Sequence, residues 1–344
     1  MTTQKYETDV VIIGAGPVGL FAVFECGMLQ MKCHVIDALP EIGGQCMALY
    51  PEKPIYDIPA WPRINGGDLI EQLYDQASPF KPMYHLNQQA ANVERLEDGS
   101  FEVTTSLNEI IACKAIIIAA GAGAFGPNKP PMENLEAFEN KSVFYMVRRC
   151  EDFVGKKIAI AGGGDSAVDW ALSLAPHAEK IYFIHRRPKF RAAPESVAKL
   201  EKLAESGKVE MIVPYQLTRL DGTDGQVESL TVSDLDGNQK VLEIDALLPF
   251  FGLAAKLGPI AEWGLNLDHT HIETDPTTAQ TSQEGIYAIG DIATYDNKLK
   301  LILTGFSEAA MAAHHAYGIV NNGKALHIEY STSIGLPQEN QKAS

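Results

Sequence analysis

The sequence predicts an α/β protein in which a strand, a glycine-rich turn, a helix and a second strand follow one another twice. Three observations carry this. The apolar run at residues 9–13 ends in Gly14, Gly16 and Gly19 and is followed by a second run at 33–37. The run at 157–161 ends in Gly162, Gly164 and Ala167 and is followed by a run at 181–184. Each set reads as strand, glycine turn, helix and strand, the opening of a βαβ unit.

The elements follow in order. Residues 20–28 read as the first helix, and 38–65 as an ordered loop region rich in proline, glycine and aromatics. Residues 84–112 read as short strands with a turn at Asp98 and Gly99, and 115–119 as a buried strand. The glycine- and proline-rich stretch 121–127 is a natural crossing between domains. After the second glycine turn a helix runs to about residue 174, and 245–251 reads as the strand that closes the second unit. Residues 285–291 form a further strand ending in Gly290 and Asp291, and the small-residue segment 305–317 is helical. The last ordered piece is expected at 327–336. The prediction is therefore two Rossmann-like, three-layer folds. Residues 1–121 and 253–344 form a discontinuous first domain, with residues 122–252 inserted as the second.

Composition narrows the function classes. A formal net charge of −16 argues against nonspecific nucleic-acid binding. No apolar run approaches the roughly 18 residues a spanning helix needs. Residues 1–8 are polar and lead straight into a strand, so a cytoplasmic enzyme without a membrane anchor is expected. The five cysteines, at 26, 33, 46, 113 and 150, include no C-x-x-C pair, and no metal site is expected.

The glycine turns carry the chemistry. Gly14, Gly16 and Gly19 spell G-x-G-x-x-G between strand and helix, with Pro17 inside the turn. The first glycine allows the tight turn, the second lets backbone approach a pyrophosphate, and the third lets helix and strand pack closely. Asp37, about 20 residues on, ends the second strand, where a carboxylate can accept hydrogen bonds from a ribose diol. The second turn has Gly162, Gly164, Asp165, Ser166 and Ala167. No acid closes its following strand; Arg186, Arg187 and Arg191 stand there instead. Guanidinium groups suit a 2′-phosphate. The first turn therefore suits FAD and the second NADP(H).

These motifs, with Gly43, Gly44 and Gln45, His185 to Arg187, Phe190 to Ala192, and Ala288 to Asp291, resemble the low-molecular-weight thioredoxin reductases over nearly the whole chain. The resemblance implies that Asp291 meets the ribityl–phosphate region of the flavin. One feature departs from that family. Its C-x-x-C lies just before the second glycine-rich strand, where this chain has Cys150 alone. Cys46 stands where a glutathione-reductase arrangement has its first cysteine, but Pro51 occupies the partner position. A thiolate needs a second sulfur to close a disulfide.

Without a dithiol the chain is similar to the thioredoxin-reductase-like ferredoxin–NADP⁺ reductases. Residues 43–53, 121–125 and 330–333 carry this likeness. It implies FAD contacts from Asp37, Gln45, Tyr50, Ala90, Phe125, Asp291 and Thr332, with Tyr50 stacking on one flavin face and Tyr330 on the other. It also implies a homodimer that exchanges electrons with ferredoxin or flavodoxin. Arg148, Arg149, Lys156 and Lys157 are candidates for a basic docking patch; scattered solvated charge is the other reading of them. Two other functions stay open at this point. One is a disulfide or peroxide reductase working through Cys46 or Cys150. The other is a flavin-binding redox sensor that is not an enzyme.

Overall fold

The structure is a computed structural model that describes residues 4–121, 123–132 and 134–324. Its helices are α1 (Pro17–Met28), α2 (Gly44–Ala48), α3 (Gly66–Ala77), α4 (Asp165–Leu174), α5 (Pro194–Glu205) and α6 (Ile302–Val320). The chain forms two compact units, residues 1–125 with 255–344, and residues 126–254.

The first unit is built on a five-stranded sheet ordered Ile286–Ala288, Ala115–Ile118, Val10–Ile13, Cys33–Ile36, Met83–His85, with every neighbour parallel. Alternation along these strands explains the layering. Val10, Ile12, Val35 and Ile117 share one core with Ala22, Val23 and Cys26 of α1 and Ala309, Ala312, Ala313 and Ala316 of α6. Val11, Ile13, Ile36, Ile116 and Ile118 point the other way, against Phe101, Val103 and Ile111. Those last three belong to a second sheet of Lys5–Glu7, Ile110–Cys113, Phe101–Thr105 and Ala90–Arg95. A sheet buried on both faces favours apolar residues on both sides of each strand, and that is why the runs read largely apolar, His34 and His85 excepted.

One polar chain crosses this interior. His34 and His85, on adjacent strands, approach to 3.0 Å between Nδ1 and Nε2. Glu109 takes the other His85 nitrogen at 2.8 Å and accepts Gln88 Nε2–H at 3.0 Å. Burial, followed by the neighbouring His85, lowers the His34 pKa to about 4.

The second unit repeats the plan with four parallel strands, ordered Val209–Ile212, Lys180–Ile184, Lys157–Ala161, Ala246–Pro249. It adds an antiparallel meander of Gln216–Thr223, Gln226–Ser233 and Gln239–Glu243.

Several expected bounds shift. The closing strand is Ala246–Pro249, shorter than 245–251. The expected strand at 285–291 stops at Ala288; Gly290, with φ +72°, turns the chain out of the extended conformation, and Gly290–Ile292 is a short 3₁₀ segment. Within the loop expected at 38–65, residues Gly44–Ala48 are helical. The piece expected at 327–336 lies outside the described residues.

Candidate functional site

The first glycine turn is shaped by close approach. Gly14 has φ +111°, and a Cβ there would fall 2.3 Å from the Ala119 carbonyl oxygen. A Cβ on Gly19 would lie 1.9 Å from the Gly14 carbonyl oxygen. Side chains are excluded at both, so α1 seats directly on the sheet. Gly16 caps α1 and Pro17 opens it, where a missing N–H costs nothing. Gly44 at the start of α2 comes so near that its Cβ would meet Gly16 Cα at 3.0 Å. Two bare backbones thus face each other at a helix N-terminus, a setting that favours a phosphate.

Asp37 follows the strand Cys33–Ile36. Its Oδ2 accepts Ala15 N–H at 2.6 Å and its Oδ1 accepts Leu39 N–H at 2.8 Å. Burial raises its carboxyl pKa, and the two backbone donors pull it back. An ionised carboxylate offers about four acceptor directions, so two remain for ribose hydroxyls.

A cavity of about 340 Å³ runs past both features. Gly14, Gly16, Pro17, Asp37, Gly44, Gln45, Tyr50, Ala90 and Asp291 all line it. Gly19 does not; its place is in the packing of α1. Phe125 falls in the strand Ala124–Pro127, while Tyr330 and Thr332 lie outside the described residues. The cavity wall also includes Val18, Cys46, Leu257, Ile260 and Ile302. Cys46 apart, their only sequence signal is apolarity, which does not separate a ligand wall from core. The cavity joins carboxylates at Asp37 and Asp291 to glycine backbone and an apolar wall, and this chemistry fits the ribose, pyrophosphate and flavin parts of FAD.

Cys46 sits in that wall with Sγ 3.9 Å from Tyr50 Oη. Burial pushes its thiol up to about 11; the Tyr50 contact lowers it and the Asp291 charge raises it. Since the thiolate is the nucleophile, a thiol of this kind is almost wholly protonated near neutrality. Burial also pushes the Tyr50 phenol upward, so its ring is a neutral surface.

In the second unit, a Cβ on Gly162 would meet Ala167 Cβ at 2.8 Å, which is how α4 closes on its strand. Gly164 caps α4, and Asp165 and Ser166 form its first turn. Arg191 N–H donates to Gly163 O at 2.7 Å, and Asp165 Oδ1 accepts Ala193 N–H at 2.9 Å. These two bonds fasten the basic loop beside the glycine turn and leave Arg186, Arg187 and Arg191 exposed. Asp165 thus serves the loop. Sequence reasoning also misses the part played by His185. Its ring covers Gly163, where a Cβ would lie 2.2 Å from Cε1, and it stacks on Phe190 at 5.3 Å. Burial lowers its pKa, opposed by a backbone hydrogen bond and reinforced by the arginine charges.

The basic docking candidates are partly neutralised within the chain. Lys157 pairs with Glu243 at 3.1 Å and Arg149 lies 3.9 Å from Glu151. Among the described residues no helix is long and apolar enough to cross a membrane.

Two parallel sheets, each opened by a glycine turn at a helix N-terminus, define a protein with two dinucleotide-binding folds. The chain belongs to the pyridine nucleotide-disulphide oxidoreductase family, whose model matches residues 8–318. A protein of Rickettsia canadensis named ferredoxin–NADP reductase is 62% identical over 95% of this chain and 97% of its own length. One of Rhodospirillum rubrum with the same name is 58% identical, covering 96% of each chain. The thioredoxin reductase of T. acidophilum shares the fold, with a TM-score of 0.78 at 22% identity over 91% of this chain and 98% of that one.

Proposed function

We propose that this chain is a ferredoxin–NADP⁺ reductase. On this reading it holds FAD along the cavity of the first unit and NADP(H) at the glycine turn and arginines of the second, and it passes electrons between NADP(H) and ferredoxin or flavodoxin. The unequal chemistry of the two turns carries the reading: an acid, Asp37, serves the first, and three exposed arginines serve the second. The names of relatives at 62% and 58% identity supply the acceptor. Bound FAD supplies the redox chemistry, taking electrons in pairs and giving them singly.

The chain's residues bind, orient and shield. The N-terminus of α1 takes the pyrophosphate between Gly16 and Gly44, and Asp37 takes the adenosine ribose. Gln45 and Asp291 hold the flavin end, and Tyr50 offers a neutral ring to one flavin face. The resemblance assigns Tyr330 to the opposite face, and Phe125 and Thr332 to further contacts. Arg186, Arg187 and Arg191 hold the 2′-phosphate. No side chain is asked to move a proton.

A disulfide reductase working through Cys46 is disfavoured by that thiol's pKa of about 11. A homodimer belongs to the same proposal, on the strength of the resemblance. The test is NADPH-driven reduction of cytochrome c with and without ferredoxin, beside a thioredoxin control. Stimulation by ferredoxin alone is expected. Flavin bleaching by NADPH without turnover on any one-electron acceptor would instead indicate a redox sensor.

A further inference from the structure

A buried charged cluster lies at the Gly290–Asp291 turn, and the proposed function makes no use of it. Glu308 of α6 and Lys298 expose 1% and 4% of their side chains. Lys298 Nζ pairs with Glu308 Oε1, which also accepts the Tyr295 hydroxyl at 2.8 Å. Glu308 Oε2 accepts Gly290 N–H at 2.7 Å. One carboxylate therefore gathers donors from three points along the connection between the strand Ile286–Ala288 and α6. A carboxylate only accepts, so it can hold all three at once.

A second contact acts at the same place. Gly305 lies three residues before Glu308, on the same face of α6. A Cβ there would fall 2.4 Å from Val18 Cγ2 and 3.3 Å from Gly290 Cα. Val18 lines the cavity from the first turn of α1. The face of α6 carrying Gly305 and Glu308 thus presses Gly290 against the first glycine turn while holding its N–H. Asp291 follows directly, so the Gly290 backbone sets where Asp291 enters the cavity. Stability alone does not explain the cluster, because a buried ion pair is often no better than apolar residues of the same volume.

We propose that Glu308 is a positioning residue that fixes the Gly290–Asp291 turn and so tunes the flavin end of the FAD site, leaving the adenosine end alone. This rests on the proposed FAD reading. The test titrates FAD and, separately, ADP into the flavin-stripped full chain, with excess NADP⁺ present to fill the second unit's site. K298M/E308L removes both charges and the acceptor together. Its Kd for FAD should rise at least about tenfold, while its Kd for ADP stays within about twofold of wild type. K298M/E308Q keeps an acceptor for Gly290 N–H and should restore most of the FAD affinity. E308D keeps the charge but shortens the reach, and it should show the same split if K298M/E308L does not fold. Unchanged FAD affinity, or FAD and ADP affinities falling in parallel, would overturn the role of Glu308. A wild-type chain that binds ADP but not FAD would overturn the FAD reading itself.

Discussion

Replacing Asp37 with Asn tests the first site at its most specific residue. The carboxylate accepts Ala15 N–H and Leu39 N–H and keeps two acceptor directions for the ribose. Asparagine keeps one acceptor oxygen and turns an amide donor toward the other partners. A hydrogen bond to a charged group contributes about 1.5–3 kcal/mol. Losing one to the ribose should raise the Kd for FAD about ten- to a hundredfold, at 1.4 kcal/mol per decade. The flavin-free chain should also lose about 1–3 kcal/mol, because one backbone N–H in the turn goes unpaired. Calorimetric titration of FAD and urea unfolding of the stripped chain read the two effects separately. Lost stability with FAD affinity unchanged would refute the ribose role and leave Asp37 as a turn-former only.

Other outcomes follow from the same structure. R186A/R187A should raise the KM for NADPH far more than that for NADH, since only NADPH carries the 2′-phosphate; equal effects would mean the arginines do not read it. C46S/C150S should keep most turnover on ferredoxin, because the Cys46 thiol, pushed up to about 11, supplies almost no thiolate near neutrality and neither cysteine belongs to a C-x-x-C pair; abolished turnover would point to a cysteine mechanism. The His34 pKa, about 4 when folded, lies below its ordinary value, so the unfolded chain binds more protons between those two pH values. The stability it contributes is complete above about pH 6.5 and is lost as pH falls toward 4, by at most about 3 kcal/mol. H34N should flatten the decline of unfolding free energy over that window, and an unchanged slope would contradict the assignment.

The parallel strands and both glycine turns were legible because burial on two faces writes a largely apolar run, and a tight turn over backbone demands glycine. Asp37, which lines the cavity, and the exposed arginines were picked out by their place after the second strand of each unit. The meander from Gln216 to Glu243 was not. One side of it is solvated, and Leu220, Val227, Leu230 and Val232 are too widely spread among polar residues to stand out. The hold of Glu308 on Gly290 was hidden too, because its donors come from 18, 13 and 10 residues away along the chain. An acid in an alanine-rich helix reads as exposed until the fold buries it. Residues 44–48 were expected in a loop, and their five-residue helix follows from Gly43 and Gly44, which turn the chain so that Cys46 and Ala48 pack inward.

On the proposed reading electrons pass through flavin alone, because the chain has no C-x-x-C pair. Anaerobic reductive titration of the purified holoenzyme tests it most directly. Full reduction should consume two electrons per FAD, one two-electron couple. Uptake of four electrons per FAD would reveal a redox-active disulfide and contradict the account.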